Sequence, residues 1–197
     1  MNFYRRLGKR ILDVSTVTLC SPIWVTLLGV SSLTVLISMG RPVFFRQQRP
    51  GVKGKIFTLL KLRTMSLGLG NDAQRLTRMG RLLRATSLDE LPSLLNVLSG
   101  DMSLVGPRPL LVQYIGRYTS EQIKRHDVRP GLTGLAQIKG RNLLSWNEKF
   151  KLDLEYVQRM SLKLDLLILL KTIATVLMRH GISSQDSVTM PEFMGHS

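Results

Sequence analysis

The sequence predicts an α+β fold that is predominantly helical and monotopic in a membrane, with an N-terminal re-entrant helix-break-helix, a small β-hairpin and interfacial amphipathic helices. Three observations predict it: a long apolar window broken by proline and flanked by bases, two β-prone runs around a glycine turn, and helical apolar spacing over most of the rest. Length and composition agree. With 197 residues, 44% hydrophobic and 21% charged, the chain can bury one core and is neither disordered nor fibrous. One cysteine, Cys20, excludes a disulfide framework, and His126, His180 and His196 are too scattered for a zinc cluster. A net charge of +15 beside a mean hydropathy of +0.07 asks for an anionic and an apolar partner together. A bacterial-type membrane surface supplies both.

Residues 1–10 carry Arg5, Arg6, Lys9 and Arg10 and no acid, and residues 41–84 carry 11 bases against Asp72 alone. Between them, residues 14–40 hold no ionisable group except Cys20. As a helix this window is roughly 40 Å long, against a hydrocarbon core of about 30 Å. A cleaved signal peptide fits the arginine-rich start, but the apolar run is about twice the usual length and no small-residue cleavage pattern follows. A straight spanning helix fits the length, yet bases at both ends give contradictory orders under the positive-inside rule. Ser21 and Pro22 resolve the conflict. Proline removes a backbone hydrogen bond and clashes with the preceding turn, so the helix breaks there, with Ser21 able to satisfy a freed carbonyl. A broken helix enters and leaves by one face; a proline-kinked spanning helix is the alternative. The expected organisation is a re-entrant membrane helix over residues 1–40 and one continuous unit over residues 41–197, with both termini cytoplasmic.

Residues 43–48 and 56–62 are β-prone runs around a glycine-containing turn, which predicts the hairpin. Its bases (Arg46, Arg49, Lys53, Lys55, Lys61 and Arg63) suit phosphate or lipid headgroups, and equally a solvated face. A glycine-rich loop at 67–71 then leads to a basic helix predicted over residues 72–84, with Leu76, Met79, Leu82 and Leu83 on one side.

Asp89 and Glu90 are the only adjacent acids in a long basic region. Ser87 and Glu90 have capping-box spacing and Pro92 fits a first helical turn, so both acids are expected at the N-terminus of a short helix ending near Gly100. The dipole stabilises such acids whether or not they do chemistry. Pro107-Arg108-Pro109 is less easily explained by structure alone: two prolines fix the backbone around a guanidinium that can fork onto a phosphate.

Lys61-Leu-Arg63-Thr-Met, Thr86-Ser-Leu-Asp-Glu-Leu-Pro92, Asn96-Val-Leu-Ser-Gly-Asp-Met-Ser-Leu-Val-Gly-Pro-Arg-Pro109, Arg129-Pro-Gly-Leu-Thr-Gly134 and Gly140-Arg-Asn142 resemble the bacterial sugar transferases, the monotopic phosphoglycosyl transferases. The likeness runs in order from Ser21-Pro22 to Thr189-Met-Pro-Glu-Phe193, and it looks like the small form reduced to the catalytic domain. It implies transfer of a sugar 1-phosphate from a nucleotide sugar, usually a UDP-sugar, to polyprenyl phosphate at the cytoplasmic face of the bacterial inner membrane. The products would be a polyprenyl diphosphate sugar and UMP. Asp89 would be a covalent nucleophile, since a carboxylate attacking phosphorus gives an acyl phosphate and divides one transfer between anions into two. Magnesium, held by Asp89 and Glu90, would offset the repulsion, with Glu90 acting as metal ligand or as an orienting group of the catalytic pair. Lys61, Arg63, Arg84 and Arg108 are expected to hold phosphate oxygens, and Arg141 to contact the nucleotide.

Downstream, residues 119–122 have capping-box spacing, 130–134 read as a turn before a strand-like run to Ile138, and 146–158 read as a helix with Trp146, Phe150, Leu154 and Val157 in the core. Residues 162–178 are apolar but interrupted by Lys163, Asp165 and Lys171, which favours a packed or interfacial helix over a second span. A basic charge of this size also suits nucleic acid, but the apolar segment argues against that partner. A non-catalytic membrane scaffold has no use for Asp89-Glu90 beside Pro-Arg-Pro.

Overall fold

The computed structural model describes residues 3–140, 143–178 and 192–195. It is mostly helical with one antiparallel hairpin, as the periodicities predict. A π-helical turn at Tyr4–Gly8 runs into α1 (Lys9–Leu19); the axis breaks at Cys20 and resumes as α2 (Ser21–Met39), with Pro22 in its first turn. The hydrogen bond that spans the break comes from Trp24 rather than Ser21: the indole Nε1 donates to the Val17 carbonyl at 2.9 Å. Among the described residues α2 is the one helix long and apolar enough to cross a membrane.

The hairpin pairs β1 (Phe44–Pro50) with β2 (Ile56–Leu62), Phe44 opposite Leu62 and Pro50 opposite Ile56. The free edge of β2 must satisfy its own backbone groups, and side chains three apart on one later helix do so. Asn96 accepts from Leu60 N at 3.1 Å and donates to Thr58 O at 2.9 Å, and Ser93 donates to Leu60 O at 2.6 Å.

Three local expectations are corrected. The basic helix over residues 72–84 is two helices, α3 (Asp72–Arg75) capped by Asn71 and α4 (Arg78–Ala85) capped by Thr77, because each cap side chain claims a backbone N–H and divides the run. The Ser87–Glu90 capping box does not form. Ser87 sits at φ 57°, Leu88–Glu90 make a 3-10 turn, and α5 (Ser93–Ser99) starts only after Pro92, ending as expected at Gly100. The run to Ile138 is a helix: β3 (Ser103–Val105) lies parallel to β4 (Gly131–Thr133), and α6 (Leu135–Lys139) follows directly.

α7 (Trp146–Arg159) opens on a Ser145–Glu148 capping box, and α8 (Leu162–Met178) follows it. Phe150 is buried as expected, but the other fully buried positions of α7 are Asp153 and Tyr156, with Leu154 and Val157 half-buried. The main core joins Val17 and Trp24 of the N-terminal helices to Leu59, Val97, Met102, Val105, Tyr156 and Ile168. Residues before position 25 therefore share one core with the rest. A second cluster packs Val35 against Leu62 and Leu83.

A third, aromatic cluster places Phe193 at ring distances of 5.0 Å from Phe150, 5.4 Å from Trp146 and 5.7 Å from Tyr114. Glu192 pairs with Arg117 at 2.7 Å. Phe193 is only 3% exposed, so Phe193→Ala is expected to cost about 3 kcal/mol. A denaturant midpoint equal to wild type would show that this contact does not hold the segment down.

Candidate active site

Four elements converge on the acid pair. β2 brings Lys61, the 3-10 turn brings Asp89 and Glu90, the end of α4 brings Arg84, and the loop after β3 brings Arg108. The Ser93 and Asn96 bonds to β2 set Lys61 against Glu90, because they lock the helix that follows the acid pair onto the strand that carries the lysine. α4 approaches closely through Gly80, where a Cβ would lie 1.9 Å from the Thr64 carbonyl oxygen. That contact lets Thr64 accept from Arg84 Nε at 3.0 Å, which orients the guanidinium.

The two acids are unequal. Glu90 Oε1 accepts from both Lys61 Nζ and Arg108 Nη2, the latter at 2.7 Å. Burial alone would raise its pKa, but Arg108 and Lys61 outweigh it and hold the carboxyl well below the usual range. Asp89 is 7% exposed, and among the described residues no hydrogen bond occupies its carboxyl. Burial, then the Glu90 charge, pushes it up to about 6, against the pull of Lys61, Arg108 and Arg84. The arrangement thus holds one anion fixed between two cations and leaves a second carboxylate uncommitted beside it. Lys61 itself is lowered by burial, then by Arg108, with Glu90 opposing.

Beside Glu90 is a cleft of about 70 Å³ with mixed walls: Arg49, Lys61, Glu90 and Arg108 are polar, and Leu59, Met102, Leu110 and Leu132 are apolar. Of the residues singled out from sequence, Lys61, Arg84 and Arg108 come together around Asp89 and Glu90. Arg63 does not. It is 6% exposed and donates to the carbonyls of Met39, Gly40 and Arg41 at the end of α2, as a cation at a helix C-terminus does. Arg141 lies outside the described residues. Two groups had no distinguishing signal in the sequence. Arg49 reads as one hairpin base among several, yet burial and then Arg108 lower it to about 10. Lys149, over the Trp146 ring at 5.3 Å, is lowered to about 8 by burial and then Arg108.

Magnesium keeps several waters and takes one or two carboxylates plus substrate oxygens. Asp89 and the Glu90 oxygen not engaged by Lys61 and Arg108 meet that need, provided a diphosphate supplies the rest. Among the described residues no group of three or more acid, cysteine or histidine ligands exists.

A family model described as "Bacterial sugar transferase" matches residues 4–179. The chain is 49% identical over 195 residues to an uncharacterized sugar transferase, EpsL, of Bacillus subtilis (strain 168), covering 95% of this chain and 96% of that one. It is 41% identical over 189 residues to a UDP-glucose:undecaprenyl-phosphate glucose-1-phosphate transferase of Caulobacter vibrioides, covering 87% of this chain and 70% of the relative. An undecaprenyl-phosphate galactose phosphotransferase of Salmonella typhimurium is 39% identical over 165 residues, which is 72% of this chain and 35% of that protein.

Proposed function

The chain belongs to the bacterial sugar transferase family and is a transferase, and from that premise we propose that it moves a sugar 1-phosphate from a UDP-sugar to polyprenyl phosphate. The observation that carries this reading is the uncommitted Asp89 beside a Glu90 already held by Lys61 and Arg108. An Asp89 oxygen attacks the phosphorus that bears the sugar. The Oδ–P bond forms as the bond from that phosphorus to the bridging oxygen breaks, and UMP leaves with the electron pair. A phosphate oxygen of the lipid then attacks the same phosphorus and releases Asp89, giving a polyprenyl diphosphate sugar. In this reading Arg108 and Lys61 receive phosphate oxygens, and Arg84 steadies the Asp89 charge. Magnesium held by Asp89 and Glu90 would supply charge neutralisation for the diphosphate.

The test is product identity. With UDP-sugar and polyprenyl phosphate, UMP and a lipid diphosphate sugar are expected, with transfer abolished by a divalent-metal chelator. Release of UDP would mean cleavage at the sugar carbon and would overturn the reading.

The same reading places the protein on the cytoplasmic face of the inner membrane, with α1 and α2 re-entering by that face. Support comes from how the N-terminal bases are used. Lys9 pairs with Asp165 at 2.6 Å, Arg5 donates to carbonyls at the end of α7, and Arg10 donates to carbonyls at the end of α5. Meanwhile Leu19 and Ile23 at the break, and Leu166, Leu170 and Ile173 on α8, are exposed apolar groups that suit lipid. With Cys20 replaced, single cysteines at Arg6 and Ser66 should both resist an impermeant thiol reagent in intact cells. Labelling of position 6 alone would make α2 a spanning helix.

A further inference from the structure

The Pro107-Arg108-Pro109 loop is held by its carbonyls. Its prolines have no N–H to offer, so most of the handles that remain are acceptor oxygens. Each one is taken by a different part of the chain. Gly131 N donates to Pro107 O at 2.9 Å, Arg125 Nη2 to Arg108 O at 2.8 Å, and Arg49 Nη1 to Pro109 O at 3.1 Å.

The middle donor belongs to a buried ion pair. Arg125 is 3% exposed and Asp153, on α7, is 4% exposed. Asp153 Oδ2 accepts from Arg125 Nε at 3.1 Å and from Nη2 at 2.6 Å. Nη2 carries two hydrogens, so one serves Asp153 and the other serves the Arg108 carbonyl. The rings of Tyr118 and Phe150 lie 5.8 and 5.7 Å from the guanidinium carbon. Burying two charges this deeply adds little stability over apolar side chains of equal volume. An apolar pair, however, has no donor for a carbonyl that two prolines leave exposed to one side.

We infer that Arg125 and Asp153 are positioning residues for Arg108: Asp153 orients the Arg125 fork, and the fork fixes the Arg108 backbone so that its guanidinium meets Glu90 and a substrate phosphate. This deepens the reading of Arg108 as a phosphate-holding group and rests on it. A lysine at position 125 keeps the charge opposite Asp153 but has no planar fork with which to serve both acceptors in this geometry.

The test uses the full-length protein in detergent. Arg125→Lys and Asp153→Asn are each expected to slow UMP release on the order of 10–100-fold, the scale of a slightly misplaced catalytic group. Both should also speed hydrogen exchange at the Gly131 amide, which donates to the Pro107 carbonyl of the same loop. In an Arg108→Lys background neither should slow turnover further, since the group they position is already lost. Losses that multiply in the double variants would overturn the inference, as the pair would then act on the fold rather than through Arg108. Unchanged exchange at the Gly131 amide would overturn it too. The lysine variant decides if Asp153→Asn does not fold. Faster exchange together with wild-type turnover in Arg108→Lys would uphold the positioning and sink only the phosphate-holding reading.

Discussion

Asp89→Asn is expected to release no UMP from a UDP-sugar, with or without lipid acceptor, a loss on the order of 10³-fold or more. The reason is chemical before it is structural. A neutral amide does not form the acyl phosphate, and the neighbouring Glu90 is no substitute because Lys61 and Arg108 already engage it. In the wild-type protein, UDP-sugar alone should release UMP in an amount limited to the enzyme present and leave a sugar-phosphate mass on the peptide containing Asp89. Glu90→Gln should be impaired but retain a trace, since it removes the group that fixes the cations and leaves the nucleophile in place. UMP that appears only after lipid is added, with no modified peptide, would instead show direct in-line attack by the lipid phosphate.

Removal of residues 1–40 is expected to unfold the remainder rather than yield a soluble enzyme. Asp165 has no exposed surface and accepts from Lys9, Tyr4 and Tyr156; the deletion takes away two of the three, including the only cation among them. Breaking a buried pair from one side costs about 3–5 kcal/mol. Asp13, which holds the Leu104 N–H at 3.0 Å beside the loop that leads to Arg108, goes as well. So do Val17 and Trp24 from the main core and Val35 from the second. Whole domains are stable by only about 5–15 kcal/mol. Circular dichroism and limited proteolysis in detergent should therefore report an unfolded chain. A cooperative melt from the truncated protein would mean that the N-terminal helices are only an anchor.

Much of this was legible locally. The break at Ser21-Pro22 follows from proline stereochemistry, the hairpin from alternating β-prone runs around a glycine turn, and the end of α5 from Gly100 at φ 92°. The reciprocal bonds of Thr119 with Gln122 follow from their spacing. The Asp89-Glu90 doublet and the arginine between two prolines stood out because unlike charges and paired prolines are visible in a string of letters.

Other features belong to the tertiary structure. Ser87 has the composition of a cap but a backbone at φ 57°, and the run to Ile138 turns helical at Leu135 once β4 has ended beside β3 at Thr133. Lys61 and Arg63 look alike in the sequence, two bases of one short run, yet Arg63 fastens the end of α2 and Lys61 meets Glu90. Asp153 sits at a helical position that reads as ordinary surface charge until Arg125, 28 residues earlier, is found against it. The physical division is one of range. Dihedral restriction, periodicity and capping act between neighbours and so are carried by the sequence alone. Burial, and which donor reaches which acceptor, depend on segments brought together from as far as 161 residues apart, and only the folded chain decides them.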